Sequence, residues 1–341
     1  MNVLGIESSC DETSVAIISE GKLVSNLISS QDFHKKYGGV VPELSSRAHL
    51  QIVIPLLRDA LKNAGLALSE IDVVCATAGP GLIGALLVGL TFGKGLAYSL
   101  NKPFIPVNHI EGHIYSPFLM DEKPEFPYLA LVVSGGHTLL LIVKSFSEIV
   151  KLGTTVDDAA GEAFDKVAKM VGLGYPGGPK IQNAAAKGDA NKIDFPVADL
   201  KNRYDFSFSG LKTAVLRHIQ KNYDDVNNIP EHDVNDIAAS FQKAVIKALI
   251  RNAGRALKDF NVNSVSLAGG VAANKALRAA LSELAVSRNK KIIVPGMEFC
   301  GDNAAMIAFR GMKQFEAGKN YELSYSPYPG LSDEYFANKD V

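Results

Sequence analysis

The sequence predicts an α/β protein in which one structural plan is used twice. Two short apolar runs of strand character, residues 3–6 and 15–18, flank a small hydroxyl-rich turn at residues 7–13. A second pair, residues 128–133 and 139–143, flanks the similar turn at residues 134–138. In each half a buried-type strand then runs through a glycine turn into a helix, and a further strand leads to a polar helix start. Residues 73–77, 78–81, 82–100 and 103–107 deliver Asn108 and His109; residues 265–268, 269–274, the helix containing Leu277, Leu281 and Leu284, and 292–295 lead to Asp302. Two such halves facing one another would enclose a cleft, with His109 and Asp302 at equivalent places in the two lobes.

The predicted division is an N-terminal lobe over residues 1–127 and a C-terminal lobe over 128–302. A helical, glycine- and proline-rich insertion covers 153–234, and a C-terminal helix and tail, residues 303–341, return to the first lobe. In chain order, residues 22–28 add a third strand, and residues 42–64 form one or two helices stopped by Gly65. Asp157 opens a helix, Tyr175 to Pro179 make a tight turn, residues 236–259 form a long helix and residues 302–317 another. The tail from Tyr321 reads as loosely packed.

With 341 residues, 47% of them hydrophobic, the chain can bury a core in each of two lobes. A net charge of −1 gives no general attraction for nucleic acid or anionic membrane, so an RNA partner requires a local basic patch. Such patches are offered by His34, Lys35 and Lys36, by Arg47 and by Lys166 to Lys169. Cys10, Cys75 and Cys300 lack metal-type spacing and fit reduced thiols. Without a basic-then-apolar leader, and with the longest apolar region (residues 81–93) short and glycine-rich, the expectation is a cytoplasmic protein without a membrane partner.

His109 and His113 are four apart, so a helix beginning after Asn108 puts both imidazoles on one face, where they can share a metal ion. Asp302 is the candidate third ligand; otherwise Asn108 and Asp302 are helix caps and the histidines ordinary. The zinc-peptidase pattern H-E-x-x-H is absent, because the acid is Glu111, about 200° around the helix from His109. Four glycine or hydroxyl loops follow strands, at residues 8–13, 78–81, 134–138 and 269–274. Their backbone N–H groups suit phosphate or carboxylate, which implies a nucleotide. No P-loop and no dinucleotide G-x-G-x-x-G occurs. Asp11, Glu12 and Asp165 are the remaining acids in such surroundings; each is otherwise a surface or capping residue.

Together these segments resemble the bacterial tRNA N6-adenosine threonylcarbamoyltransferase family, formerly labelled O-sialoglycoprotein endopeptidase. The resemblance runs from Gly5-Ile6-Glu7-Ser8-Ser9-Cys10-Asp11-Glu12-Thr13 through residues 37–43, 78–81, 109–113, 133–138, 157–165 and 176–179. It continues through Phe206-Ser207-Phe208-Ser209-Gly210-Leu211-Lys212-Thr213 and residues 268–274 to 300–303. It implies an actin-like ATPase or sugar-kinase-like (ASKHA) fold with two duplicated lobes around a nucleotide cleft. The implied reaction is transfer of threonylcarbamoyl from threonylcarbamoyl-AMP to N6 of the adenosine 3′ to the anticodon, in tRNAs reading codons that begin with A.

By resemblance His109, His113 and Asp302 hold one divalent metal ion, iron or zinc, while Val132, Val133, Ser134, Gly135, Gly136, Asp165, Gly178 and Asn274 contact the acyl-adenylate. Gln182 departs from relatives that carry a ribose-touching acid there. Asp11 or Glu12 is the expected proton acceptor. Implied partners are tRNA, a catalytically silent paralogue of the same fold bound through the N-terminal lobe, and a small ATPase. The rival readings are a small-molecule kinase and a non-catalytic nucleotide-binding scaffold of this fold.

Overall fold

The structure is a computed structural model that describes residues 1–225, 228–332 and 335–336. Residues 226 and 227 of the expected insertion, and 333, 334 and 337–341 of the expected tail, lie outside the described residues. The chain divides into two compact units, one comprising Met1–Lys123 with Pro295–Tyr335, the other Pro124–Val294 with the residues from Phe336 on.

The first unit contains β1 (Asn2–Glu7), β2 (Glu12–Ser19), β3 (Lys22–Ser30), α1 (Pro42–Ala64), β4 (Val73–Gly79), α2 (Ile83–Leu100), β5 (Phe104–Asn108) and α3 (His109–Tyr115). The second contains β6 (Tyr128–Val133), β7 (Thr138–Val143), β8 (Ile149–Thr154), α4 (Ala160–Met170), α5 (Gly177–Ala185), α6 (Ser209–Asn222), α7 (Glu231–Asp259), β9 (Ser264–Ala268), α8 (Lys275–Ser287) and β10 (Lys291–Ile293). α9 (Ala304–Glu316) returns to the first unit.

The repeat read in the sequence is a repeat of topology. One sheet runs β3-β2-β1-β4-β5 and the other β10-β9-β6-β7-β8, so each strand of the first has its counterpart five strands later. β1 pairs antiparallel with β2 and parallel with β4, and β6 does the same with β7 and β9. Strands β1, β4, β5, β6, β7 and β9 are almost wholly buried, as expected of sheets covered on both faces.

In the first unit, Leu4, Ile6, Val15 and Ile17 pack with Val53, Leu56 and Leu57 of α1 and Leu90 and Ala97 of α2. α9 lies close against β1. A Cβ at Gly5 would stand 2.5 Å from the Ala304 carbonyl and 2.7 Å from Ala308 N, so only glycine lets the helix approach this near. α1 is a single helix with Pro55 on its exposed side, ended by Gly65 with φ 65°. The apolar region runs the full length of α2, whose 18 residues average a mean hydropathy of 1.4; alone among the described helices it is long and apolar enough to cross a membrane. Its Ala85, Leu86, Leu90 and Ala97 are buried within the unit.

Three local expectations are corrected. α4 begins at Ala160 rather than Asp157, because the Asp157 carboxylate is engaged elsewhere: it accepts from Phe208 N at 2.8 Å and Ser209 N at 3.3 Å, serving the start of α6. α9 begins at Ala304, with Asn303 as its cap. The tail is tied down as far as it is described, since Tyr328 N donates to Ala78 O at 3.0 Å and Gly81 N donates to Pro329 O at 3.2 Å.

Candidate metal centre and nucleotide loops

β1, β4 and β5 run parallel and bring Glu7, Gly79 and Asn108 to one edge of the first sheet, the carboxyl edge where α/β proteins place their sites. Asn108 ends β5 and caps α3 by accepting from Glu111 N at 3.0 Å, while its Nδ2 donates to the Tyr328 hydroxyl at 2.9 Å. All seven residues of α3 are buried, and the His109 and His113 rings meet edge to face with centroids 4.7 Å apart.

Asp302 reaches this pair from a distant part of the chain that belongs to the same unit. Asn303 takes the capping role by accepting from Met306 N at 3.1 Å, which leaves Asp302 outside the helix. Asp302 Oδ1 lies 3.4 Å from His109 Nε2 and 3.1 Å from His113 Nε2. The donor atoms of His109, His113 and Asp302 all fall within 4.8 Å of one another.

Sequence reasoning missed Glu7. Its carboxylate, wholly buried, accepts from Ser9 N at 2.5 Å and Thr77 Oγ1 at 2.6 Å and lies 3.1 Å from His109 Nδ1. The only signal was an acid directly after an apolar strand. Burial works against the charged form of His109, but Asp302 and Glu7 outweigh it and raise its pKa well above the ordinary imidazole value. Burial also opposes ionisation of Asp302 and Glu7, and His109 outweighs it in both, assisted by His113 at Asp302, so both carboxyls are held low.

The residues fit a divalent cation. Two nitrogens and a carboxylate oxygen converge, Nδ1 of His109 faces Glu7 and Ser9 Oγ, and Nδ1 of His113 is buried without a partner among the described residues, so Nε2 is the nitrogen each ring offers to the centre. Glu111 points away from it, accepting from Arg310 Nε at 2.6 Å and from the Tyr335 hydroxyl at 3.1 Å.

Asp11 and Glu12 follow in the β1–β2 turn. The turn is held by Ser45 Oγ and His49 Nε2, 2.5 and 3.0 Å from Cys10 O, and by the Thr13 hydroxyl 2.7 Å from His49 Nδ1. Burial, with Asp302 and Asp11 nearby, pushes Glu12 up to about 9.

In the second unit, Val132 and Val133 end β6, and Ser134, Gly135 and Gly136 form the turn into β7. α4 starts against that turn: Gly161 N donates to Ser134 O at 3.2 Å, and Ala160 N to Thr138 Oγ1 at 3.0 Å. Asp165 of α4 accepts from Gly177 N at 2.7 Å, fixing the start of α5 beside Gly178. Asn274 caps α8 by accepting from Leu277 N at 3.0 Å and donates to Gln242 Oε1 at 2.7 Å. Gln182 Oε1 accepts from Lys275 N at 2.7 Å, so its carbonyl is committed to the start of α8. Three helix starts with positive partial charge thus join a hydroxyl turn, and a Cβ at Gly135, Gly136, Gly178 or Gly270 would meet nothing within 4 Å. The structure therefore gathers the two histidines, Asp302, Asp11 and Glu12 in the first unit, and Val132 to Gly136, Asp165, Gly178 and Asn274 in the second.

Duplicated β3-β2-β1-β4-β5 sheets with glycine and hydroxyl loops after their strands define the actin-like, sugar-kinase-like (ASKHA) class of nucleotide-binding folds. Solved structures agree at the level of fold. T. kodakarensis HypF superimposes with a TM-score of 0.64 at 15% identity, covering 93% of this chain and 48% of that one. The Acidaminococcus fermentans (R)-2-hydroxyglutaryl-CoA dehydratase component A gives 0.53 at 17%, covering 94% and 100%. The family model for TsaD, tRNA N6-adenosine threonylcarbamoyltransferase, matches residues 22–309, and the chain belongs to that family. It is 53% identical over 334 residues to the tRNA N6-adenosine threonylcarbamoyltransferase of Thermosipho africanus (strain TCF52B), covering 97% of this chain and 99% of the relative. To that of Kosmotoga olearia it is 50% identical, with 97% and 99% covered. The activity is synthesis of N6-threonylcarbamoyladenosine in tRNA, a transfer of threonylcarbamoyl to the adenosine N6 amine.

Proposed function

We propose that the chain carries out this transfer with one divalent ion held by His109, His113 and Asp302, and with the acyl-adenylate held by Val132 to Gly136, Asp165, Gly178 and Asn274. The single observation that supports it most is that Asp302 lies 3.1 Å from His113 although 189 residues separate them. Two imidazoles and one carboxylate suit iron or zinc. Bound there, the ion would supply Lewis acidity.

The exocyclic amine of adenine is a weak nucleophile, because its lone pair is delocalised into the ring. The acyl group therefore has to arrive as a mixed anhydride whose leaving group is AMP. The helix starts of α4, α5 and α8 hold the phosphate as negative charge returns to it. The amine must lose a proton, and Asp11 or Glu12 is its acceptor.

The partner readings rest on the first unit. Leu50, Val53 and Ile54 of α1 and Leu87, Phe92 and Leu96 of α2 line an apolar groove of about 590 Å³, a surface suited to the silent paralogue of the same fold. The small ATPase joins that assembly, and a tRNA substrate places the chain in the cytoplasm.

Unmodified tRNA and threonylcarbamoyl-AMP, incubated with the metal-loaded chain and its partner proteins, should yield threonylcarbamoyladenosine by nucleoside mass. His113→Ala and Asp302→Asn should each lose bound metal and at least about 100-fold in turnover. Full turnover in metal-free enzyme would defeat the metal reading while leaving the family activity intact.

A further inference from the structure

We infer that Glu7 is a positioning residue of the metal centre, holding His109 by Nδ1 so that Nε2 is the coordinating nitrogen. The inference rests on the proposed centre at His109, His113 and Asp302. Taking a carboxylate fully out of water is costly unless hydrogen bonds replace the water, and three groups able to donate reach Glu7. Ser9 N–H reaches Oε1 at 2.5 Å, and the Thr77 hydroxyl and His109 Nδ1 reach Oε2 at 2.6 and 3.1 Å.

Ser9 Oγ also lies 3.2 Å from Nδ1, and the ring's other nitrogen faces Asp302 Oδ1 at 3.4 Å. In the metal-binding tautomer, with the proton on Nδ1, Nε2 and Oδ1 turn lone pairs toward one another across a gap suited to a cation. Glu7 is not itself a ligand of that cation, because it meets the ring at Nδ1, and the nitrogen that faces Asp302 is Nε2.

The two histidines are unequal in this respect. His109 has an anionic partner behind it, whereas His113 Nδ1 is buried with none among the described residues, so His113 is held by the packing of α3. A carboxylate behind a ligating imidazole fixes its tautomer and makes it a stronger donor, and losing such a partner typically weakens metal binding 10–100-fold. The carboxylate is in turn fixed from β4 by Thr77, so the sheet itself sets the ring's orientation.

The test is zinc affinity of the full chain, measured by competition with a chromophoric chelator, in wild type, Glu7→Gln, Glu7→Ala and Thr77→Val. Thermal unfolding of the same metal-free proteins separates affinity from stability. Both Glu7 variants should bind zinc about 10–100-fold more weakly, and Thr77→Val should show a smaller loss. Nitrogen-15 spectra of zinc-loaded wild type should show His109 with Nδ1 protonated and Nε2 bound, which decides the matter even where a Glu7 variant does not fold. Wild-type affinity in the Glu7 variants, or a metal-shifted Nδ1, overturns this role and leaves the centre standing. Wild type that binds no zinc removes both.

Discussion

Glu111 and Arg310 form a buried ion pair on the side of α3 that faces away from the candidate metal centre. Arg310 Nε donates to Glu111 Oε2 at 2.6 Å, the guanidinium lies 4.7 Å from the Tyr115 ring centroid, and Tyr335 donates to Glu111 Oε1 at 3.1 Å. The pair joins α3 to α9, so it braces the short helix that presents both imidazoles. Removing one partner strands a buried charge. Arg310→Met should therefore destabilise the chain by about 3–5 kcal/mol in urea unfolding, and the double variant with Glu111→Gln should recover part of that loss.

The α1–α2 groove predicts a separation of stability from association. Leu50, Ile54 and Leu87 are 63%, 47% and 48% exposed, so replacing Leu50 and Ile54 by Asp should change stability by about 0.5 kcal/mol or less at each position. The same changes should weaken binding to the proposed silent paralogue by roughly 30-fold or more, measured by calorimetry.

Asp158 accepts from Lys166 Nζ at 2.9 Å and Lys212 Nζ at 2.6 Å, clamping the start of α4 to α6. Burial works against its charge, but the two lysines outweigh it and hold its pKa below the ordinary 3.8. A depressed carboxyl stabilises the fold above its unfolded pKa and loses that contribution as pH falls through the folded one. Wild type should accordingly lose stability relative to Asp158→Asn as pH is lowered from 6 to below 3.8, read from urea midpoints.

Gly161 packs under the β6–β7 turn, where a Cβ would stand 2.5 Å from Ser134 O and 2.8 Å from Gly135 Cα. Both neighbours are backbone and have little room to yield. Gly161→Ala should cost about 1–3 kcal/mol in unfolding and weaken AMP binding by calorimetry, because the displaced turn is the one expected to hold the adenylate.

Much of the architecture was legible in the sequence, because hydrophobic periodicity and glycine turns recur in the same order in both halves. The histidine pair was equally legible: spacing of four after a capping Asn determines a shared helix face. Glu7 was invisible for the opposite reason. Its partners Thr77 and His109 are 70 and 102 residues away, and only the parallel pairing of β1, β4 and β5 brings these strands together. Asp302 and Asn303 are adjacent polar residues that sequence alone does not rank as caps, and the structure gives the cap to Asn303 and turns Asp302 toward the histidines. The tail read as loose because its polarity conceals two backbone hydrogen bonds and the Tyr328 hydroxyl contact to Asn108.

The packing of α9 on β1 has a consequence for how the molecule is made. Residues 1–123 emerge from the ribosome with one face of their sheet uncovered, and its covering helix is translated only after residues 124–294 of the second unit. The second unit is therefore free to fold first, while the opening strands wait. A nascent chain halted before Asp302 lacks one of the three proposed ligands, so the proposed metal would be loaded only at the last stage of biogenesis.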